Sequence, residues 1–217
     1  MNKKMIFSSH EPEKNVQLEN HLANNNEFNI TGILNLCSMN ITDSDLPSII
    51  QRAFPDGSKK CTGLVLRDNA LTVDGVRMIV DAIIASPASL KHLNLSSNPD
   101  IGDAAIEHIV RLLRKKRSIV FLALPQTGIT DRGVKLLADV LCGNDPEATN
   151  PPSLEKLYIS FNKGITDESI DPFLQIIEQN KGLKVCGIEH CSLTEDAYQQ
   201  LQEAVTKLKK KKFSLTG

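Results

Sequence analysis

The feature that most constrains this chain is an internal period. The frame Leu90-Lys-His-Leu93-Asn-Leu95-Ser-Ser-Asn98 recurs around Leu34/Leu36, Leu64/Leu66, Leu122/Leu124, Leu157/Ile159 and Cys186/Ile188. The first members of these pairs follow one another at steps of 30, 29, 29, 35 and 29 residues. A period of this length marks a stack of like supersecondary units, each too small to bury its own apolar face. Six copies occupy about residues 31 to 209.

Inside each copy the alternation around Leu-x-Leu has a period of two, which predicts a short strand with its leucines on one face. A small polar residue follows (Thr42, Thr72, Gly102, Thr130, Thr166, Thr194), and from it the offsets +4, +7 and +11 hold apolar residues such as Val76, Ile79 and Ile83. Those spacings describe one stripe of a helix. The threonines are suited to cap the helix N-termini, and the acids just after them, such as Asp43, Asp103 and Asp131, suit the positive end of the helix dipole. Offset +8 is apolar in the first five copies and Gln202 in the sixth, as expected if nothing stacks beyond the last helix. Before the first copy, Val16, Leu18 and Leu22 predict a capping helix over about 12–24, with Pro12 at its first position.

The frame resembles the leucine-rich repeat, and the repeat length with a helix in its second half resembles the ribonuclease-inhibitor-like subfamily. The resemblance covers about four fifths of the chain. It implies an α/β fold, a curved solenoid of about six strand-helix repeats with a parallel sheet on the concave face and helices on the convex face. The expected divisions are an N-terminal capping segment (1–30), the repeat domain (31–209) and a basic C-terminal tail (210–217). It also implies a structural ladder of Asn69, Asn98, Asn162 and Cys191, whose side chains pair with backbone groups left open where the chain leaves each strand.

Composition fits this reading. There are 26 Leu and 20 Ile against 9 aromatic residues and no Trp, an aliphatic interior suited to repeated slots of equal volume. A net charge of -1 supplies no global field for nucleic acid or membrane, and no apolar run reaches the roughly 18 residues of a membrane span. Five cysteines at irregular spacing suit reduced thiols in a cytoplasm better than a secreted disulfide framework. Residues 1–7 are too short an apolar stretch for a signal peptide. Cys186, His190 and Cys191 invite a zinc reading, but the repeat register turns both thiols inward and His190 outward, so no metal and no cofactor are expected. Nucleotide-binding glycine motifs and hydrolase signatures are absent, and the chain is read as a non-enzyme. Two basic clusters, Lys207 with Lys209–Lys212 and Arg111 with Arg114–Arg117, lie at helix C-termini and suit the negative dipole end. The segment 142–153 is turn-rich and polar, and reads as an inserted loop.

The strand positions between the leucines are the place to look for function, since they face outward from the sheet. Candidate partner-binding residues are Phe121, Tyr158 and Phe161, expected near one another as an aromatic patch, with Lys156, Arg67, Asp68, His92, Gln126, Glu189 and His190. The exposed sheet projects to about 400 Å², below the ~800 Å² per partner of a standard interface, so flanking loops or an extended ligand would have to supply the rest. The function expected is binding of a protein partner on the concave face by a monomeric chain without nucleic acid. The alternative is a regulator or catalyst with a site on the concave rim, similar to small-GTPase or actin regulators of this repeat class. The Lys/Asn/Ile-rich composition and residues 213–217 further resemble a bacterial effector delivered into the host-cell cytosol.

Overall fold

The computed structural model describes residues 15–144, 152–207 and 213–216. Seven strands form one parallel sheet in sequence order: β1 Ile33–Asn35, β2 Gly63–Val65, β3 His92–Asn94, β4 Phe121–Ala123, β5 Lys156–Tyr158, β6 Val185–Gly187 and β7 Ser214–Thr216. Their register is one to one, so Leu34, Leu64, Leu93, Leu122, Leu157, Cys186 and Leu215 make a single row across the sheet. Every member of that row is buried. Helices α1 Val16–Asn24 and α2 Asn26–Thr31 precede β1. After the strands come α3 Leu46–Ala53, α4 Val73–Ala85, α5 Gly102–Lys115, α6 Asp131–Cys142, α7 Ile170–Gln179 and α8 Glu195–Lys207. From α3 onward each helix packs on the next. The architecture is a curved, open leucine-rich-repeat solenoid, with the core sandwiched between sheet and helices.

Burial follows the offsets. Ile49, Ile79, Ile109, Leu137, Phe173 and Leu201, all at +7, are at most 1% exposed. The ends differ from expectation. Ser214–Thr216, which falls in the stretch read as tail, is the seventh strand, because Leu215 stands one further 29-residue step beyond Cys186 and pairs with it. Gln202 is half-buried, and its amide donates to the Tyr198 hydroxyl and the Leu215 carbonyl. At the other end the capping helix begins at Val16 with Asn15 as its cap, and Pro12 lies outside the described residues. Leu18, Leu22 and Phe28 are buried while Val16 is exposed. Asn15 donates to the Met39 carbonyl, and the His21 ring meets the Asn35 carbonyl at 3.0 Å, so α1 covers the outer side of the first repeat.

Polar groups tie neighbouring repeats together twice. In the first ladder Asn98 Nδ2 donates to the carbonyls of Leu66, Leu95 and Ser96 while its Oδ1 accepts from Leu71 N–H. Asn69 and Asn162 bond in the same way to their own and the preceding repeat. The Cys191 thiol replaces the amide with one contact, to the Ile159 carbonyl at 3.5 Å.

The second ladder is absent from the sequence expectations. Asp43, Asp103, Asp131 and Asp167 each accept both the backbone N–H and the hydroxyl of a threonine in the following repeat, namely Thr72, Thr130, Thr166 and Thr194. Their carboxylates therefore bridge repeats as well as facing a helix N-terminus. A small residue three places after the threonine makes room. An added Cβ on Gly75 would lie 2.0 Å from Asp43 Oδ1, and one on Gly133 2.5 Å from Asp103 Oδ1. Where Gly102 replaces the threonine, Asp74 pairs instead with Arg77 on its own helix at 3.2 Å.

Candidate functional site

The middle residue of each strand points into the core, so the first and third stand on the open face. Across the strands this gives two rows. One reads Ile33, Gly63, His92, Phe121, Lys156, Val185, Ser214 and the other Asn35, Val65, Asn94, Ala123, Tyr158, Gly187, Thr216. Tyr158 is flanked by Ala123 and Gly187, the smallest side chains of its row. An added Cβ on Gly187 would come within 2.6 Å of Tyr158 Cδ1, so the phenol ring lies down over that glycine.

The Phe121 and Tyr158 rings are 5.5 Å apart, centre to centre, and His92 and Phe121 are 5.9 Å apart, both pairs tilted. These distances lie inside the range of favourable aromatic contact. A ring row thus crosses β3, β4 and β5. Phe161 does not join it. It sits past the end of β5 in left-handed backbone, φ 60°, which turns its side chain toward the next repeat, where it meets His190 at 4.5 Å between ring centres. The expected single aromatic patch is therefore two groups: the row His92–Phe121–Tyr158 on the sheet, and the pair Phe161–His190 on its C-terminal rim. The left-handed conformation recurs at the matching position of every repeat, Ser38, Asp68, Ser97, Gln126, Phe161 and His190. This column was invisible in the sequence because glycine, the usual mark of such backbone, occupies none of it.

Around the rings the surface is polar. Lys156, Arg67, Asp68 and Gln126 are exposed, and Asp68 accepts from the Ser38 hydroxyl at 2.6 Å. Glu189 is half-buried and accepts from the Ser160 hydroxyl. Burial pushes its carboxyl up, but hydrogen bonding led by Ser160 outweighs this and holds it below the usual carboxylate value. Ser160 was not singled out as a site residue, although the register places it beside Glu189.

Cys186 is buried, and desolvation pushes its thiol up to about 12; Cys61 is likewise pushed up to about 12 by burial. Such thiols stay protonated at neutral pH, which suits packing rather than nucleophilic chemistry. Among the described residues no group of three or more His, Cys, Asp or Glu could hold a metal ion, and no helix is long and apolar enough to cross a membrane. Arg111 of the middle basic cluster pairs with Asp81 at 2.6 Å, and Lys116 donates to the Ser86 carbonyl. Of the C-terminal cluster, Lys207 bonds Glu203 at 3.1 Å, while Lys209–Lys212 lie outside the described residues, as do 145–151 of the inserted loop.

A family model described as Leucine Rich repeat matches residues 86–110 and 150–174. Two curated relatives carry the name NACHT, LRR and PYD domains-containing protein 14. The mouse protein is 32% identical over 49% of this chain and 10% of its own length, and the human one 27% identical over 68% of this chain and 16% of its own. The chain thus spans less than a fifth of the curated relatives it matches. Among solved structures, a chain of the yeast Rad7 and Elc1 complex superposes with a TM-score of 0.51 at 18% identity, over 82% of this chain and 44% of that one. That likeness is one of fold.

Proposed function

We propose that this chain is a protein-interaction module of the ribonuclease-inhibitor-like subfamily that seats a protein partner on the concave sheet face, without catalysis. The observation that carries the reading is the ring row His92–Phe121–Tyr158, laid across three adjacent strands of a surface whose other side chains are polar or small apart from the aliphatic Ile33, Val65 and Val185. Aromatic side chains are enriched among residues that dominate binding energy. The polar groups around the rings, Lys156, Arg67, Asp68 and Glu189, have the composition of an interface rim. The paired rings of Phe161 and His190 extend the surface beyond the strand ends, where the small area of the sheet needs supplementing. The subfamily assignment is supported by the 29-residue step and by a helix in every repeat. The fold neighbour, solved as a complex of two proteins, is in keeping with the partner reading.

The test is affinity capture with the wild-type chain and with the double substitution Tyr158→Ala, Phe161→Ala, partners being identified by mass spectrometry. The expected result is loss of a specific partner with an unchanged thermal transition. A partner retained at equal affinity places the site elsewhere. Delivery as a bacterial effector into host cytosol is a separate proposal, supported by the Lys/Asn/Ile-rich composition. It is tested by translocation of the full chain against one ending at Lys212, with folding of the shortened chain checked because the cut removes β7.

A further inference from the structure

The formal charge of -1 conceals a separation of charge that only the topology reveals. All strands run parallel, and each of β1 to β6 is followed by a helix returning to the start of the next strand. Every helix N-terminus therefore falls on one rim of the solenoid and every helix C-terminus on the other. Among the described residues, the connections on the C-terminal side, 54–62, 85–91, 114–120, 152–156 and 178–184, together with Lys207, carry eleven Lys and Arg against three acids. The turns on the opposite side, 36–46, 67–75, 96–104, 125–133, 160–169 and 189–196, carry twelve acids against three Lys and Arg. In a nearly neutral chain the described residues thus form one basic and one acidic edge.

The helix dipole explains why each sign sits at its own end, but it does not make the consequence small. The rims are held apart by helices of 12 to 14 residues in the middle repeats, about 20 Å at 1.5 Å per residue. The Debye length at physiological ionic strength is about 8 Å. A surface touching the basic rim is therefore screened from the acidic one and meets a local excess of positive charge.

We propose that the basic rim docks on an anionic lipid surface. Three observations favour lipid over the other polyanion, nucleic acid. First, nine of the eleven cations are lysines, point charges that suit a field of headgroups, whereas reading bases calls on arginine forks and stacked aromatics. Second, the one-to-one register levels the strand starts: Lys91 N–H bonds the Thr62 carbonyl and Lys184 N–H the Glu155 carbonyl, so the connections end along one line. Third, an aliphatic side chain stands on the same rim. Ile30, 85% exposed, lies in the last turn of α2 directly before β1, beside Asn29, whose Oδ1 accepts from Lys60 Nζ at 3.0 Å. An exposed aliphatic group among lysines matches the pairing of apolar insertion with electrostatic attraction that holds proteins at membrane surfaces. Contact through the rim leaves the concave face open for a protein partner.

The test uses the full chain and vesicle flotation, with phosphatidylcholine vesicles that contain or lack phosphatidylserine, and a short DNA duplex as competitor. The expected result is partition onto phosphatidylserine vesicles alone, lost at high salt. The triple charge reversal Lys59→Glu, Lys115→Glu, Lys181→Glu, at three exposed positions of the rim, should reduce partition by more than about a hundredfold, since loss of the three positive charges alone is worth roughly fivefold each. Lys163→Glu on the acidic rim should not. Ile30→Ser should weaken vesicle binding and leave any duplex binding unchanged. Partition indifferent to phosphatidylserine, or to the triple reversal in a chain whose circular dichroism matches wild type, overturns the proposal. So does duplex binding that displaces the vesicles and is insensitive to Ile30→Ser, which would make nucleic acid the partner of this rim.

Discussion

Asp131 accepts the backbone N–H and the hydroxyl of Thr166, each at 2.8 Å, across 35 residues of sequence and from one repeat to the next. The Ser169 hydroxyl adds a third bond to the same carboxylate. Burial pushes the Asp131 carboxyl up; the bonds from Ser169 and Thr166 exceed that push and leave it below its ordinary value of 3.8. The ionised form is thus the one that the fold prefers. Its stabilisation is complete above about pH 4 and disappears as pH falls through the lower folded value. Urea midpoints between about pH 6 and pH 3 should fall toward acid, and Asp131→Asn should be less stable at neutral pH while showing a shallower fall. An equally steep fall in the variant would assign the acid sensitivity to other carboxylates.

The same ladder leaves little space at Gly133, where an added Cβ would meet Asp103 Oδ1 at 2.5 Å, whereas the rungs at Asp131 and Asp167 hold Ser169 and Ala197 at the matching position. Gly133→Ala should therefore cost about 1–3 kcal/mol, the range for overfilling a close contact. Gly182 makes the control: its nearest neighbour to an added Cβ is at 3.5 Å. Gly182→Ala should be neutral or stabilising by up to about 1 kcal/mol through the unfolded chain. Denaturant midpoints of the two variants, side by side, check the contrast.

Asn98 is wholly buried and its amide serves four backbone groups in two repeats. Asn98→Ala leaves those groups without their partner, at about 1–3 kcal/mol for each that stays buried and unsatisfied. Total destabilisation should exceed that of Asn69→Ala, because Asn69 is only half-buried and water can reach the groups it releases. Equal losses by chemical denaturation would show that the ladder does not discriminate by burial.

The repeat period, the buried row through Leu93 and the helical stripe through Ile79 were legible because each is a spacing along the chain. What the sequence reading missed concerns relations between repeats. The Asp–Thr ladder joins residues 27 to 35 apart, and its local traces, the recurring Thr with a following acid and the small residue at Gly75, Ala105, Gly133, Ser169 and Ala197, do not show which residues it joins. β7 was hidden by brevity, since Leu215 has the period but no second leucine after it. Phe161 was grouped with Tyr158 from proximity in sequence, yet left-handed backbone turned it away. The separation of charge was likewise unreadable from composition, because equal numbers of acids and bases say nothing about which edge of a solenoid holds them.

Phe161 is 51% exposed with φ 60°, a conformation costing a non-glycine residue roughly 1–2 kcal/mol. Asparagine adopts it more readily, since its short amide can bond locally. The contact that compensates Phe161, the ring stack on His190 at 4.5 Å, is largely open to solvent and is worth about 0.5 kcal/mol at the low end of aromatic pairs. Phe161→Asn should consequently raise the unfolding free energy by about 0.5–1.5 kcal/mol, the difference between these two effects. If the ring belongs to a binding surface, the same variant should bind the captured partner more weakly, so that stability and affinity move in opposite directions. Thermal unfolding and a titration on one preparation test both arms, and a variant that loses stability would mean that the ring serves the fold.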